Sequence, residues 1–217
     1  MRKSRAHFPG KSKDMDIFKP EPYSDAVHIM GELRKSLQPI STIEMHLFAY
    51  LACVLNLWRG SPLSDWGYAF AVTSEGFPYS AEFELARAQL PIRGLALIDD
   101  NGRLTPELES IESEIDGFFT AERWVLRREL IHTAISCALA FPSGSIRYAI
   151  GQSPGLKIAT TLNQKSNLFT ESDIEQIYDE YGVVKEAIDD EDVDLLAPAI
   201  VWLSARILNS GEDSVNV

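Results

Sequence analysis

Residues able to do chemistry are plentiful in this chain, but few stand at spacings that chemistry needs. Gly10-Lys11-Ser12 carries the closing letters of a phosphate-binding loop. That loop needs an earlier glycine where Arg5 stands, a strand before it and a helix after it, so nucleotide binding is not expected. The four histidines are His7, His28, His46 and His132. Glu44 and His46 are two apart on a helical stretch and do not share a face. No H-E-x-x-H pair or Cys/His cluster occurs, so no metal centre is expected. Serine is common, yet no G-x-S-x-G elbow appears, and Ser153-Pro154-Gly155 has no identifiable partner base. The acidic pairs Asp99/Asp100 and Asp189/Asp190 fall in turn-like stretches and read as solvated. The pattern implies no catalytic residue, no cofactor and no metal.

Cations are the more informative set. Arg123, Arg127 and Arg128 lie on one helical stretch, with Arg123 and Arg127 four apart on a shared face. They read either as pairing with Glu122, Glu129 or the acidic helix before them, or as a ridge that accepts a partner's carboxylates. Arg2, Lys3, Arg5, Lys11 and Lys13 form a basic arm at the start, and Arg87, Arg93 and Arg103 lie further on. These eight are the candidates for contact with nucleic acid.

The elements that must position these groups are mostly helical. Ser24 is expected to cap a helix to about Leu37, before Pro39. Ser41 and Glu44 form a capping box for a helix carrying Ile43, Leu47, Tyr50, Leu51, Val54 and Trp58 on one face. A short helix is expected over Leu63–Val72. Ser80 caps a helix to about Leu90 that turns Phe83, Ala86 and Leu90 inward. A strand at Leu95–Ile98, an Asp-Asn-Gly turn and a return strand at Arg103–Thr105 follow. Thr105 and Pro106 read as the start of an acidic helix to about Phe118. Thr120 then opens a long helix to about Ala140, apolar nearly all round and read as the central strut. Short strands are expected at Ile146–Ile150 and Leu156–Leu162. Thr170 and Asp173 cap a helix to about Tyr181, and a last helix lies near Asp192–Leu208.

The division expected is a flexible basic arm (1–22), a winged-helix domain (23–118) and a helical C-terminal region (119–217), the last being a second, degenerate winged helix in one reading. The fold class is mainly α, with a short β-hairpin wing. The formal net charge of −12 opposes free-standing nucleic-acid binding and favours a protein partner. Cys53 and Cys137 sit in apolar helical runs and read as buried free thiols. No apolar run reaches the roughly 18 residues of a membrane span, and the charged start has no apolar core behind it. A cytoplasmic chain without membrane contact is expected.

A winged helix reads DNA with its third helix in the major groove and its wing along the backbone. Here that helix carries Glu82, Glu84 and Gln89 beside Arg87 and Arg93, and the wing tip carries Asp99 and Asp100. Carboxylates facing phosphates are repelled. The words Ile92-Arg93-Gly94-Leu95 and Arg103-Leu104-Thr105-Pro106, within Thr42–Leu108, resemble those of winged-helix accessory subunits of SMC-type ATPases. They also resemble the middle components of bacterial three-component ABC-ATPase defence systems such as Lamassu. The resemblance implies a non-catalytic adaptor between an ATPase and an effector, touching DNA only within the complex. The alternative is a DNA-binding transcriptional regulator using the arm and Arg87, Arg93 and Arg103. A third reading is an enzyme with its site in the Gly/Pro-rich stretch 142–166.

Overall fold

The computed structural model describes residues 19–33, 39–73, 76–118, 120–142, 145–151, 156, 166–188 and 194–212. Residues 1–18 of the basic arm lie outside these, as do most of 142–166 and the acidic stretch 189–193; the end of the expected arm, Pro20–Pro22, is instead the first turn of a helix. Two helices form the centre. α1 (Pro20–Leu33) is buried along almost its whole length, including Ser24, Asp25 and His28. Ser24 therefore does not cap it. Its hydroxyl lies 3.2 Å from His28 Nδ1, one turn on inside the helix. α2 (Thr42–Trp58) is buried from Met45 to Trp58, and the Ser41–Glu44 capping box forms with both arms present. A helix buried on every side belongs to a protein's interior, so α2 takes the strut position expected of the later helix.

The chain then makes a 3-10 turn (Leu63–Trp66), closed by Gly67 at φ 90°. A Cβ there would come within 2.7 Å of the Glu21 side chain. β1 (Ala71–Val72) and β2 (Pro78–Tyr79) pair as an antiparallel ribbon. A strand thus replaces the end of the helix expected over Leu63–Val72. β2 pairs with it on one side, and on the other Val72 N–H donates to Ser166 C=O and Leu168 N–H to Phe70 C=O, at 2.8 and 2.9 Å. Asn167 makes a single antiparallel bridge to Ala71 on that side.

α3 (Ala81–Ile92) begins at Ser80, whose hydroxyl accepts from Phe83 N–H. Phe83, Ala86 and Leu90 are buried against the core, as the spacing predicted. β3 (Ala96–Ile98) and β4 (Leu104–Pro106) form the hairpin, with Leu97 opposite Thr105. Thr105 and Pro106 belong to this ladder rather than to a helix start. Glu107 N–H still bonds Leu95 C=O, and α4 runs over Leu108–Phe118. Ile40 and Leu104 exchange two backbone bonds, which ties β4 to the segment ahead of α2.

α5 (Glu122–Leu139) packs on α1 and α2. Its N-cap is Ala121 with no side-chain bond, so Thr120 does not cap it. It buries one face only, and Leu126 and Leu139 are exposed. α6 (Ser145–Gly151) is helical where a strand was expected, and its Ile146, Ala149 and Ile150 are buried. α7 (Glu171–Ile188) starts from the expected Thr170–Asp173 box and runs two turns beyond Tyr181. α8 (Leu196–Glu212) packs on α5, α6 and α7. Trp58 of α2 stacks on Tyr181 at 4.8 Å and meets Trp202 edge-on at 5.3 Å, which locks α7 and α8 onto α2. The protein is thus mainly helical with small antiparallel two-stranded sheets. Among the described residues no helix is long and apolar enough to cross a membrane.

Candidate functional site

The face of α3 turned away from the core carries Leu85, Ala88, Gln89 and Ile92, one stripe at helical spacing. Leu85 is 53% exposed and Ile92 75%. The strand that follows adds Leu97 at 60% and Ile98 at 57%. Exposed large aliphatics are ordinary one at a time; here two share a stripe of α3 and two more stand on opposite faces of the strand that follows.

Two of the cations expected on this face have partners within the chain. Arg87 donates from Nε and Nη2 to both oxygens of Glu84, at 2.8 and 2.7 Å. Arg93 lies over the Tyr23 ring at 4.7 Å and 3.6 Å from the Glu114 carboxylate. Arg103 is exposed on the hairpin. Arg2, Lys3, Arg5, Lys11 and Lys13 lie outside the described residues.

α3 is seated by a polar chain that runs from its cap. Ser80 N–H donates to His46 Nδ1 at 3.2 Å, which leaves the ring proton on Nε2, 3.4 Å from Glu84. Burial raises the Glu84 carboxyl, but the hydrogen bonds from Arg87 and His46 and their charges pull it further the other way, to about 2. His46 is stacked on Tyr79 at 4.7 Å, and burial lowers its pKa, so it stays neutral near pH 7. The hairpin tip is equally determined. Asp99 accepts from the N–H groups of Asn101 and Arg103, at 2.9 and 2.8 Å, and Gly102 holds φ 74°. Asp99 is thus a turn-former, while Asp100 is an exposed charge.

Arg123, Arg127 and Arg128 do not form the expected ridge. Arg127 is only 7% exposed. Its Nε and Nη2 grip the two oxygens of Asp25, Nη2 reaches Trp66 C=O at 2.8 Å, and the guanidinium lies 3.8 Å over the Trp66 ring. Tyr68 donates to Asp25 at 2.6 Å. Burial raises the Asp25 carboxyl against the pull of Arg127 and Tyr68. The Arg127 guanidinium is also disfavoured by burial but is held charged by Asp25. Arg123 is exposed above the Trp124 ring at 4.1 Å. Arg128 lies between two open grooves of about 480 and 440 Å³, among Glu32, Glu112, Asp116 and Glu129. Carboxylates surround it, so it presents no unbroken basic face.

His28 sits beside this network. Burial, with the charges of Arg128 and Arg127, lowers its pKa to about 4. Its folded state excludes a proton that the unfolded chain binds below about 6.5, so its stabilising effect is full above 6.5 and falls toward pH 4. Urea unfolding at pH 5 is expected to show about 2 kcal/mol less stability than at pH 7.5 from His28 alone. A His28→Leu variant should show a flatter pH dependence. Cys53 and Cys137 are buried free thiols, as expected; burial pushes the Cys137 thiol up to about 12 and the Cys53 thiol well above its ordinary value.

The sequence reading missed Asp25 and the apolar stripe. A carboxylate at the centre of the apolar run Ala26–Met30 and Tyr23 was a usable signal, because it demands a buried cation. Comparison with known proteins finds no matching family model, no matching characterised sequence and no matching solved structure.

Proposed function

We propose that this chain is a non-catalytic adaptor built on a winged helix. α3 stands as the recognition helix and β3–β4 as the wing, adapted to hold protein. The observation that carries this reading is the exposed pair Leu85 and Ile92 on the outward face of α3, where a DNA reader would place cations, with exposed Leu97 and Ile98 on the strand that follows. Support comes from Arg87, which is largely covered and held by Glu84 rather than turned outward for phosphates. The net charge of −12 points the same way. By the resemblance of its wing words, the partner is an SMC- or ABC-type ATPase, bridged to an effector in bacterial antiviral defence in the cytoplasm.

The test is affinity purification of the tagged full chain from its native host, with a duplex band-shift in parallel. Recovery of an ABC-type ATPase in stoichiometric amount, with no duplex shift at 150 mM salt, is the expected result. Tight, sequence-specific duplex binding by the chain alone would make it a transcriptional regulator instead. Asp100→Lys is expected to raise non-specific duplex binding, because it exchanges repulsion for attraction at the exposed tip.

A further inference from the structure

Two helix starts, a helix end and the 3-10 turn meet around a pocket of about 230 Å³. Glu21 comes from the first turn of α1 and Arg123 from the first turn of α5. Asn56 comes from the end of α2 and Asp65 from the 3-10 turn. The volume is below the roughly 300 Å³ at which sites for drug-sized ligands begin, so the pocket fits a ligand of few atoms. Leu126 and Leu130 make its α5 side apolar, and buried Trp66 and Trp124 complete the wall.

The charges around this pocket are of both signs, and they do not pair. Among the described residues Glu21 and Asp65 have no cation within ion-pair distance, and Arg123 has no carboxylate. Arg123 rests instead on the Trp124 ring at 4.1 Å. The other guanidinium here, that of Arg127, is already taken by Asp25. Opposite charges around one small pocket gain by meeting. Their three elements hold these apart, so a ligand carrying both signs can bridge them. A second observation points to a ligand. Asn56 is 7% exposed, and its Nδ2 has no hydrogen-bond partner among the described residues. A buried amide left in that state is an exception in folded proteins.

We infer that this pocket binds a free α-amino acid with an apolar side chain. Arg123 takes the carboxylate, Glu21 and Asp65 take the ammonium, and Leu126 and Leu130 receive the side chain. The Asn56 amide, able to turn about its last side-chain bond, donates to the second carboxylate oxygen. Both charges stand on one carbon only in a free amino acid; a chain end carries one of them. This site is independent of the adaptor reading, which stands whether or not the pocket binds.

The probes are leucine, N-acetyl-leucine and leucinamide, titrated into the full chain by calorimetry beside thermal unfolding at the same concentrations. Leucine should bind and raise the unfolding midpoint. The other two each lack one charge and should bind about tenfold more weakly or worse. Arg123→Gln should weaken leucine by about tenfold and leave leucinamide unchanged. Asp65→Asn should weaken leucine and leave N-acetyl-leucine unchanged. Both side chains are exposed, so the ligand-free midpoint should stay that of the wild type. Leucinamide binding as well as leucine would make the pocket a site for an amine alone, and N-acetyl-leucine doing so a site for a carboxylate alone. Either result overturns the proposal, as does no leucine binding below about 10 mM, or wild-type leucine affinity in both variants.

Discussion

Arg127→Met lowers the stability of the fold by about 3–5 kcal/mol, the usual consequence of leaving one buried charge without its partner. For a chain of this size that is a drop of about 10 °C in the unfolding midpoint. The argument is local. Asp25 is fully enclosed and has two donors, Arg127 and Tyr68. Without the guanidinium it keeps only the tyrosine hydroxyl, and Trp66 C=O loses its donor too. Asp25→Asn in the Arg127→Met background should recover part of the loss, because an amide carries no charge to strand. Chemical unfolding of the single and double variants measures this. Equal stability of wild type and Arg127→Met would show that the guanidinium contributes no more than its bulk. A ridge arginine would behave in the opposite way, affecting a partner complex and not the fold.

Ile92→Asp and Leu97→Asp weaken the partner complex by about thirtyfold or more each, the effect of losing about 2 kcal/mol at a central contact. Both side chains are more than half exposed, so the fold itself should change by no more than about 0.5 kcal/mol. Quantitative pull-down of the proposed partner, beside thermal unfolding of the free chain, separates the two effects. Retained affinity in both variants would place the interface elsewhere, with the exposed Arg123 as the next position to test.

The parts of this fold legible in the sequence are those whose signals act within one helical turn. The boxes Ser41–Glu44 and Thr170–Asp173, the Ser80 cap and the Asp99–Gly102 turn all formed as read, because each side chain bonds backbone two to four residues away. What failed depends on distant chain. Ala71–Val72 is a strand because it pairs with Pro78–Tyr79 on one side and meets Ser166–Leu168 on the other, and the second of these partners lies far along the chain. Ile146–Ile150 is an apolar run too short to distinguish strand from buried helix by periodicity. The surface was the hardest to read. Arg123, Arg127 and Arg128 look alike in sequence, yet only the placement of Asp25 decides that the second of them turns inward.

The pairing of Asp25 with Arg127 spans 102 positions. At translation rates of about 5–20 residues per second, α1 waits roughly 5–20 s on the ribosome before the arginine that neutralises it has been made. The outer edge of β1 waits longer still, until Ser166–Leu168 arrives. During synthesis, then, the nascent first half carries an unanswered carboxylate and an open strand, a window in which a chaperone or an early-arriving subunit has something to hold.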